Sequence, residues 1–188
     1  MKYYLLAGEA SGDLHGANLA KAIIKLDANA QLQGWGGERM QLAGVKITKH
    51  YKELAFMGFI EVISNIRTIQ KNFKISKQDI LSFNPDVLIL IDYPGFNLRM
   101  AKWAKENNIR VVYYISPQVW AWKEKRVLKV KKYVDQMLVI LPFEKAFYHS
   151  WGIEVDYVGH PLIEAIEDYQ SKAETDIADG LVNSKNKK

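Results

Sequence analysis

The strongest constraint on the fold of this chain is the alternation of short apolar runs with longer amphipathic stretches. The runs have the length of strands, and several are rich in Val, Ile, Leu and Tyr, as expected for strands covered on both faces. This order is typical of right-handed βαβ units and predicts an α/β fold, a Rossmann-like parallel sheet flanked by helices. The predicted strands are residues 2–7, 31–35, 87–91, 111–115, 137–140 and 155–158. The predicted helices are residues 14–25, 59–73, 77–82, 99–107, 123–133 and 144–150.

The length and composition suit one globular domain. The chain has 188 residues, of which 48% are hydrophobic and 25% are charged, enough to bury a sizeable core. From about Ser171 the apolar periodicity is lost and the sequence ends in a polar, Lys-rich run. We therefore assign residues 1–170 to the domain and residues 171–188 to a polar tail or a truncated linker. A frayed terminus has the same composition.

Composition also limits the chemistry and the location. The chain contains no cysteine, which excludes disulfides and thiolate zinc sites and fits a reducing cytoplasm. Its first apolar run is too short for a secretory signal, and no run approaches the roughly 18 to 20 apolar residues of a spanning helix. We expect a protein that is soluble or bound at a membrane surface. A net charge of +5 favours an anionic partner: nucleic acid, phospholipid or a phosphorylated substrate.

A glycine-bearing turn follows the first predicted strand and leads into a helix, a layout that often binds phosphate. Gly8, Gly12 and Gly16 have the spacing G-x-x-x-G-x-x-x-G, which matches neither the dinucleotide fingerprint nor the P-loop. Glu9 and Asp13 would repel a phosphate placed between them, whereas acids suit sugar hydroxyls or proton transfer. The alternatives are that Asp13 caps the helix and that Glu9 is a solvated loop acid.

A second acid, Asp92, directly follows a predicted central strand, and Pro94 and Gly95 then turn the backbone. Ligands of open α/β sheets bind beyond the carboxyl ends of the strands, so Asp92 should share a crevice with Glu9. Partial burial there would raise its basicity toward that of a general base. The alternative for Asp92 is an Asx-type turn near Gly95, and the alternative for Asn97 is a helix cap.

Two further strand ends carry polar or aromatic residues. After Ser116, the turn presents Gln118, Trp120 and Trp122 before a basic helix that includes Arg126. Tryptophans interleaved with basic residues stack on bases or bind phosphate, and a solvated helix with one Trp in the core gives the same pattern. No RNA-binding signature accompanies it, so we do not expect a nucleic-acid partner.

His160 stands between Gly159 and Pro161 at another predicted strand end, where it is able to enter the crevice. A lone His is more often structural than catalytic. Because no clustered His or carboxylate spacing accompanies it, the sequence predicts no metal site.

A stretch from Leu54 to Gln78 combines apolar side chains near helical spacing with flanking basic ones. This pattern predicts an interfacial helix on anionic lipid, although an ordinary helix packed on the core shows it too. The predicted membrane contacts are Phe59, Ile60, Ile63, Ile66, Ile69 and Phe73.

Taken together, these stretches resemble the lipid-A-disaccharide synthase family, the inverting glycosyltransferases of bacterial lipid A assembly. The matching motifs cover nearly everything from Lys2 to Leu162. They are "AGEASGDLHGA", "GGERM", "ELAFMGFIEVI", "IDYPGFN", "YYISPQVWAWKEKRV", "LPFEKAFY" and "VGHPL".

The resemblance implies the N-terminal domain of a GT-B fold, in which two Rossmann-like domains face a cleft and the N-terminal one holds most of the acceptor. It implies a reaction that joins UDP-2,3-diacylglucosamine to 2,3-diacylglucosamine 1-phosphate with inversion, giving the lipid A disaccharide phosphate and UDP. It also implies that no cofactor or metal is needed. The implied location is cytoplasmic, peripheral on the inner face of the cytoplasmic membrane, with a homodimer as one possible assembly.

By the same resemblance, Asp92 is the general base on the acceptor 6-hydroxyl, and Glu9 orients the acceptor or supports the base. We assign to substrate binding Ser11, Gly12, Asp13, Asn97, Gln118, Trp120, Arg126 and His160. Family members are substantially longer, so we expect this chain to be the acceptor half and inactive alone. The alternative function is a non-catalytic module that binds a membrane surface or an acyl sugar.

Overall fold

The structure is a computed structural model that describes residues 1–54, 66–120 and 126–161. Strands and helices alternate along most of the described chain. In chain order they are β1 (Lys2–Ala7), α1 (Ala10–Leu26), β2 (Gln31–Gly36), α2 (Glu38–Leu42), β3 (Lys46–His50), a 3-10 turn (Tyr51–Glu53), α3 (Ile66–Phe83), β4 (Val87–Ile91), α4 (Pro94–Glu106), β5 (Arg110–Tyr114), α5 (Val127–Tyr133), β6 (Gln136–Val139), α6 (Pro142–Ser150) and β7 (Asp156–Tyr157).

The strands form one seven-stranded sheet in the order β3-β2-β1-β4-β5-β6-β7. Every pair of neighbours is parallel, which confirms the predicted parallel α/β sheet. The chain leaves β1 toward one edge and leaves β4 toward the other. The order therefore reverses between β1 and β4, and the crevice at their carboxyl ends is where ligands bind in open sheets of this kind.

The central strands are covered on both faces, as their continuous apolar sequences predicted. All five residues of β4 are buried. Leu88 and Leu90 belong to a cluster that includes Ile80 of α3, Met100 of α4 and Val127 of α5. The alternate side chains of the strands point to the other face of the sheet. There Ala17 and Ala20 of α1 belong to one cluster with the strand residues Leu5, Ala7, Ile89 and Ile91.

Two elements were not predicted, for identifiable reasons. Strand β3 has the sequence KITKH and no fully buried residue, so it lacks the apolar run by which the other strands are recognised. Its charge fits its position at the edge of the sheet. Helix α2 has only five residues, too few for a helical period to show in the sequence.

Three helix predictions need correction. Helix α1 begins at Ala10 rather than residue 14. Helix α4 begins at Pro94 rather than residue 99, because proline is well suited to the first turn of a helix. The predicted break between residues 73 and 77 is wrong, since α3 runs through it. Ser76, a weak helix former, is fully buried there, so packing overrides its propensity.

Other predictions fall outside the described residues. These are the first part of the helix predicted at residues 59–73, the start of the one predicted at 123–133, and the domain boundary near residue 170. None of the helices in the described part of the chain is long and apolar enough to cross a bilayer.

Candidate active site at the carboxyl edge of the sheet

The two acids singled out in the sequence lie at adjacent strand ends. Strands β1 and β4 pair in parallel with Ala7 opposite Ile91, so Glu9 and Asp92 leave the sheet side by side. Glu9 is exposed at the start of α1, and Asp92 is half-buried. The structure thus brings both acids to the point where the strand order reverses.

The backbone at Asp92 has an unusual conformation. Both Asp92, with φ of 44°, and Tyr93, with φ of 47°, are in the left-handed region, which residues other than glycine rarely adopt. Such residues cost about 1–3 kcal/mol each and persist where the surroundings over-determine them. The position of the Asp92 side chain therefore costs conformational free energy that an ordinary loop would not require.

Hydrogen bonds to the backbone hold this turn. The Asn97 side-chain amide donates to the carbonyl oxygens of Ile91 (3.1 Å) and Asp92 (2.8 Å). The Tyr113 hydroxyl donates to the Asp92 carbonyl at 2.6 Å, and the Asp92 N–H donates to the carbonyl of Tyr114 at 3.1 Å. Asn97 is fully buried and lies inside the first turn of α4, whose N-cap is Tyr93, so it does not cap that helix. Its side-chain amide holds the turn, and its predicted assignment to substrate binding stays a prediction.

A glycine lets the two strand ends approach each other. A Cβ atom on Gly8 would lie 2.5 Å from Cδ1 of the Tyr93 ring, closer than any side chain tolerates. Tyr93 in turn stacks on Phe96, with ring centroids 5.8 Å apart. The turn after β4 is therefore packed directly on the turn after β1.

Burial and charge make Asp92 more basic than an ordinary aspartate. Burial raises the pKa of Asp92, the negative charge of Glu9 raises it further, and the backbone N–H of Tyr93 acts in the opposite direction. Burial and Glu9 raise the pKa of Tyr93 in the same way. The direction for Asp92 is the one predicted from its position after a buried strand, and it is the direction that a general base requires.

Asp13 has a different role from the ones predicted. It is 2% exposed, and its carboxylate accepts hydrogen bonds from the backbone N–H groups of Gly37 (2.7 Å), Arg39 (3.1 Å) and Met40 (3.1 Å). These N–H groups open α2, so Asp13 stabilises the start of a neighbouring helix. Helix α1 itself begins earlier, with Glu9 at its N-cap. Asp13 is thus not the cap of its own helix, and its predicted role in substrate binding stays a prediction.

Two more residues were predicted in this turn, Gly12 and Ser11, and they differ in their exposure. Gly12 is buried, and a Cβ on it would lie 3.1 Å from Cβ of Ala7, so it allows α1 to pack closely on β1. Ser11 is exposed in the first turn of α1. Of these two, only Ser11 is placed to meet a ligand.

The end of β5 adds a second constrained segment to the same edge. Ile115 has a φ of 68°, which is rare for a β-branched residue. The next residue, Ser116, has its hydroxyl 2.7 Å from that of Tyr148. Gln118 is exposed, and Trp120 meets Phe143 edge to face at 4.9 Å. Trp122 lies outside the described residues.

Arg126 and His160 also reach this edge. Burial raises the pKa of Tyr113, and the charge of Arg126 acts against that rise, so the guanidinium lies within electrostatic range of the tyrosine that holds Asp92. Burial lowers the pKa of His15 on α1, and the charge of His160 lowers it further. His160 is therefore not a lone histidine. Neither His15, which lies in the same glycine-bearing motif, nor Tyr113 was predicted from the sequence.

Solved structures match this architecture at low sequence identity. UDP-GlcNAc 2-epimerase from Neisseria meningitidis, bound to UDP-GlcNAc, aligns with a TM-score of 0.65 and 14% identity over 93% of this chain and 50% of that one. The calicheamicin glycosyltransferase CalG4 aligns with a TM-score of 0.52 and 13% identity, over 84% of this chain and 52% of that one. The fold of this chain is therefore that of a Rossmann-like domain of the GT-B class.

Sequence comparison gives the family. A family model described as "Lipid-A-disaccharide synthetase" matches residues 3–186, and the chain therefore belongs to the lipid-A-disaccharide synthase family. The enzyme of that name from Geobacter metallireducens is 46% identical over 177 residues, 94% of this chain and 46% of the relative. The one from Coxiella burnetii is 46% identical over 161 residues, 86% of this chain and 43% of the relative. The chain spans about half the length of the curated relatives it matches.

Proposed function

We propose that this chain forms the acceptor side of a glycosyltransferase of lipid A biosynthesis. The reaction joins UDP-2,3-diacylglucosamine to 2,3-diacylglucosamine 1-phosphate and releases UDP. Family membership over residues 3–186 supports the reaction class. The observation that carries the acceptor assignment is the pair of acids, Glu9 and Asp92, at the reversal point of the sheet.

In this proposal Asp92 takes the proton of the acceptor 6-hydroxyl. The hydroxyl oxygen forms a bond to the anomeric carbon of the donor while the bond from that carbon to the diphosphate oxygen breaks on the opposite face. The configuration inverts, the electron pair leaves with UDP, and the proton remains on Asp92. A positioned general base contributes about 10²- to 10⁴-fold to such a step, and the raised pKa of Asp92 supports this role.

Glu9 supports the base in two ways. Its negative charge helps to raise the pKa of Asp92, and its exposed carboxylate is available to accept a hydrogen bond from an acceptor hydroxyl. A sugar hydroxyl is a neutral donor, so an acidic helix entrance that would repel phosphate is suited to it. We further propose Ser11, Gln118, Trp120, Arg126 and His160 as substrate contacts, with Arg126 supplying the positive charge for a phosphate.

We also propose a peripheral location on the inner face of the cytoplasmic membrane. Of the predicted membrane contacts, Ile69 and Phe73 of α3 are half-buried, and Phe73 packs on Phe96 with ring centroids 5.5 Å apart. Exposed Arg67 and Lys71 flank them, as on an interfacial helix. Phe59, Ile60, Ile63 and the side chain of Ile66 lie outside the described residues.

The test uses a full-length enzyme that carries this domain, incubated with both diacyl sugars, with the disaccharide phosphate detected by mass spectrometry. We expect Asp92→Asn to lower kcat by about 10²-fold or more with an unchanged circular-dichroism spectrum, and the exposed Asp156→Asn to have no effect. Turnover by Asp92→Asn at the wild-type rate would remove Asp92 as the base. Absence of product from the wild-type enzyme would remove the proposed function itself.

A further inference from the structure

A groove on the helical face of the domain is not used by the mechanism above. It lies between α3, α4 and α5 and has a volume of about 660 Å³, within the range of small-molecule sites. Its apolar lining comes from all three helices and consists of Ile69, Phe73, Leu98, Trp103, Leu128 and Tyr133. A groove of this size and lining suits an aliphatic chain.

Positive charge surrounds this apolar lining. The cations at the groove are Lys77, Arg99, Lys102, Lys129 and Lys132. Glu106 is the acid among the groove residues, and Lys102 already pairs with it at 3.7 Å. The Lys77 Nζ lies 4.5 Å from the centroid of the Phe73 ring and 5.4 Å from that of the Trp103 ring, so its ammonium group is held over the aromatic lining by cation–π contacts. The groove therefore complements an anionic amphiphile.

The groove also runs toward the candidate active site. Helix α4 starts directly after the Asp92 turn, and Leu98 at one end of the groove follows Asn97, which holds the Asp92 carbonyl. Glu106 at the other end ends the helix. Eight residues of helix separate these ends, about 12 Å. Helix α4 thus connects the Asp92 turn to the groove, and an acyl chain on a sugar at Asp92 would follow this helix.

We propose that this groove binds an acyl chain of the acceptor, an acylated sugar phosphate, and that Arg99 and Lys129 meet its phosphate. Arg99 lies in the second turn of α4 and Lys129 in the first turn of α5, toward the end of the groove nearest the carboxyl edge. The proposal rests on the proposed function for the identity of the ligand. The amphiphile site itself rests only on the groove.

The first test measures the groove without any sugar transfer. Dodecyl phosphate and the uncharged dodecyl maltoside are titrated into the chain by calorimetry, below the concentrations at which they form micelles. We expect saturable one-to-one binding that favours the phosphate. Leu128→Glu and Lys129→Glu should weaken it at least about tenfold. The controls are Leu42→Glu, an exposed leucine on α2, and Lys145→Glu on α6, which should leave it unchanged.

Leu128 is 55% exposed, so the glutamate is compatible with folding, and thermal unfolding of each variant checks this. Equal binding by Leu128→Glu and Leu42→Glu would overturn the groove as an amphiphile site, whatever the full enzyme does.

The second test identifies which molecule supplies the acyl chain that the groove binds. In the full-length enzyme, Leu128→Glu should raise KM about tenfold for an acceptor with long acyl chains, and should not change KM for an analogue with acetyl groups. If Leu128→Glu loses dodecyl phosphate but keeps the wild-type KM for both acceptors, the groove binds another amphiphile, such as a bilayer phospholipid, and the acceptor assignment is wrong. A wild-type enzyme that makes no product contradicts the proposed function instead, and the calorimetry separates that outcome from failure of the groove.

Discussion

The Tyr113 hydroxyl donates a 2.6 Å hydrogen bond to the backbone carbonyl oxygen of Asp92. Tyr113 belongs to β5 and Asp92 to the turn after β4, so the bond ties the candidate base to the neighbouring strand. It acts on the backbone and leaves the Asp92 carboxylate available. The geometry of the candidate base is thus set in part by a fully buried residue of the neighbouring strand.

Tyr113→Phe removes this bond and keeps the ring. The Asp92 carbonyl retains its contact with the Asn97 amide, so the free energy of unfolding should fall by about 1 kcal/mol. In the full-length enzyme we expect kcat to fall several-fold with KM unchanged, because substrate binding is not altered but the base is less well fixed. Urea unfolding and steady-state kinetics measure the two effects, with the exposed Tyr157→Phe as control. A change confined to stability would show that the bond does not position the base.

The pH dependence of activity should report the Glu9 charge. A general base works when deprotonated, so the acid limb of kcat/KM follows the pKa of Asp92. Glu9→Gln removes a charge that raises this pKa, and the acid limb should move to lower pH. Burial continues to hold the pKa above its ordinary value. The pH–rate profile of Glu9→Gln is compared with that of the control Glu154→Gln. Glu154 is an exposed acid in the loop that follows α6. An acid limb that stays in place would separate Glu9 from Asp92.

Asp92→Asn should stabilise the domain at neutral pH while lowering kcat by about 10²-fold or more. A folded-state pKa above the unfolded value means that the native state binds the proton more tightly, so stability falls as pH rises through these two values. Above both values the ionised Asp92 carries the full penalty, which asparagine removes, and asparagine also tolerates the left-handed backbone. We expect urea unfolding to show a gain at pH 7 that shrinks as the pH falls toward 4. A gain independent of pH would assign the effect to the backbone instead.

The sheet and the meeting of the two acids could be predicted from the sequence because they follow from local patterns and a topological rule. Buried parallel strands are continuous apolar runs, and an acid directly after such a run must lie at the carboxyl edge. This pattern places Glu9 and Asp92 at the same edge of the sheet. The same pattern cannot say which two strands are neighbours, and only the strand order places β1 beside β4.

The roles of Asn97 and Asp13 could not be predicted, since both side chains bind backbone groups rather than other side chains. Asn97 binds the carbonyl groups of a turn in the left-handed conformation. No glycine occupies the left-handed positions, so the sequence does not indicate this conformation. Asp13 meets the N–H groups of α2, a helix too short to be recognised in the sequence. Polar residues in a motif next to a crevice look alike in sequence whether they face a ligand or hold the fold.

The role of Asp13 makes a prediction of its own. Asp13→Ala removes hydrogen bonds to three N–H groups and should cost about 2–3 kcal/mol of unfolding free energy. Because the Asp13 carboxylate is buried and bound to backbone N–H groups, kcat and KM of the folded enzyme at low temperature should stay close to wild type. Gln41→Ala, at an exposed position of α2, serves as control in the same urea titrations. A large loss of kcat without loss of stability would return Asp13 to the substrate site.

The contact between Gly8 and Tyr93 can be tested by a double-mutant cycle. A Cβ on Gly8 would lie 2.5 Å from the Tyr93 ring, so Gly8→Ala must displace that ring and should cost about 1–3 kcal/mol. Tyr93→Ala removes the obstacle, so Gly8→Ala in that background should cost much less. Urea unfolding of the two single variants and the double variant gives the coupling, with the pair Gly95→Ala and Tyr93→Ala as control, since Gly95 has open space around its Cβ position. Additive costs for Gly8 and Tyr93 would mean that the ring moves aside freely. The coupling we expect means that packing between the two strand ends, together with the hydrogen bonds from Asn97 and Tyr113, holds Asp92 beside Glu9.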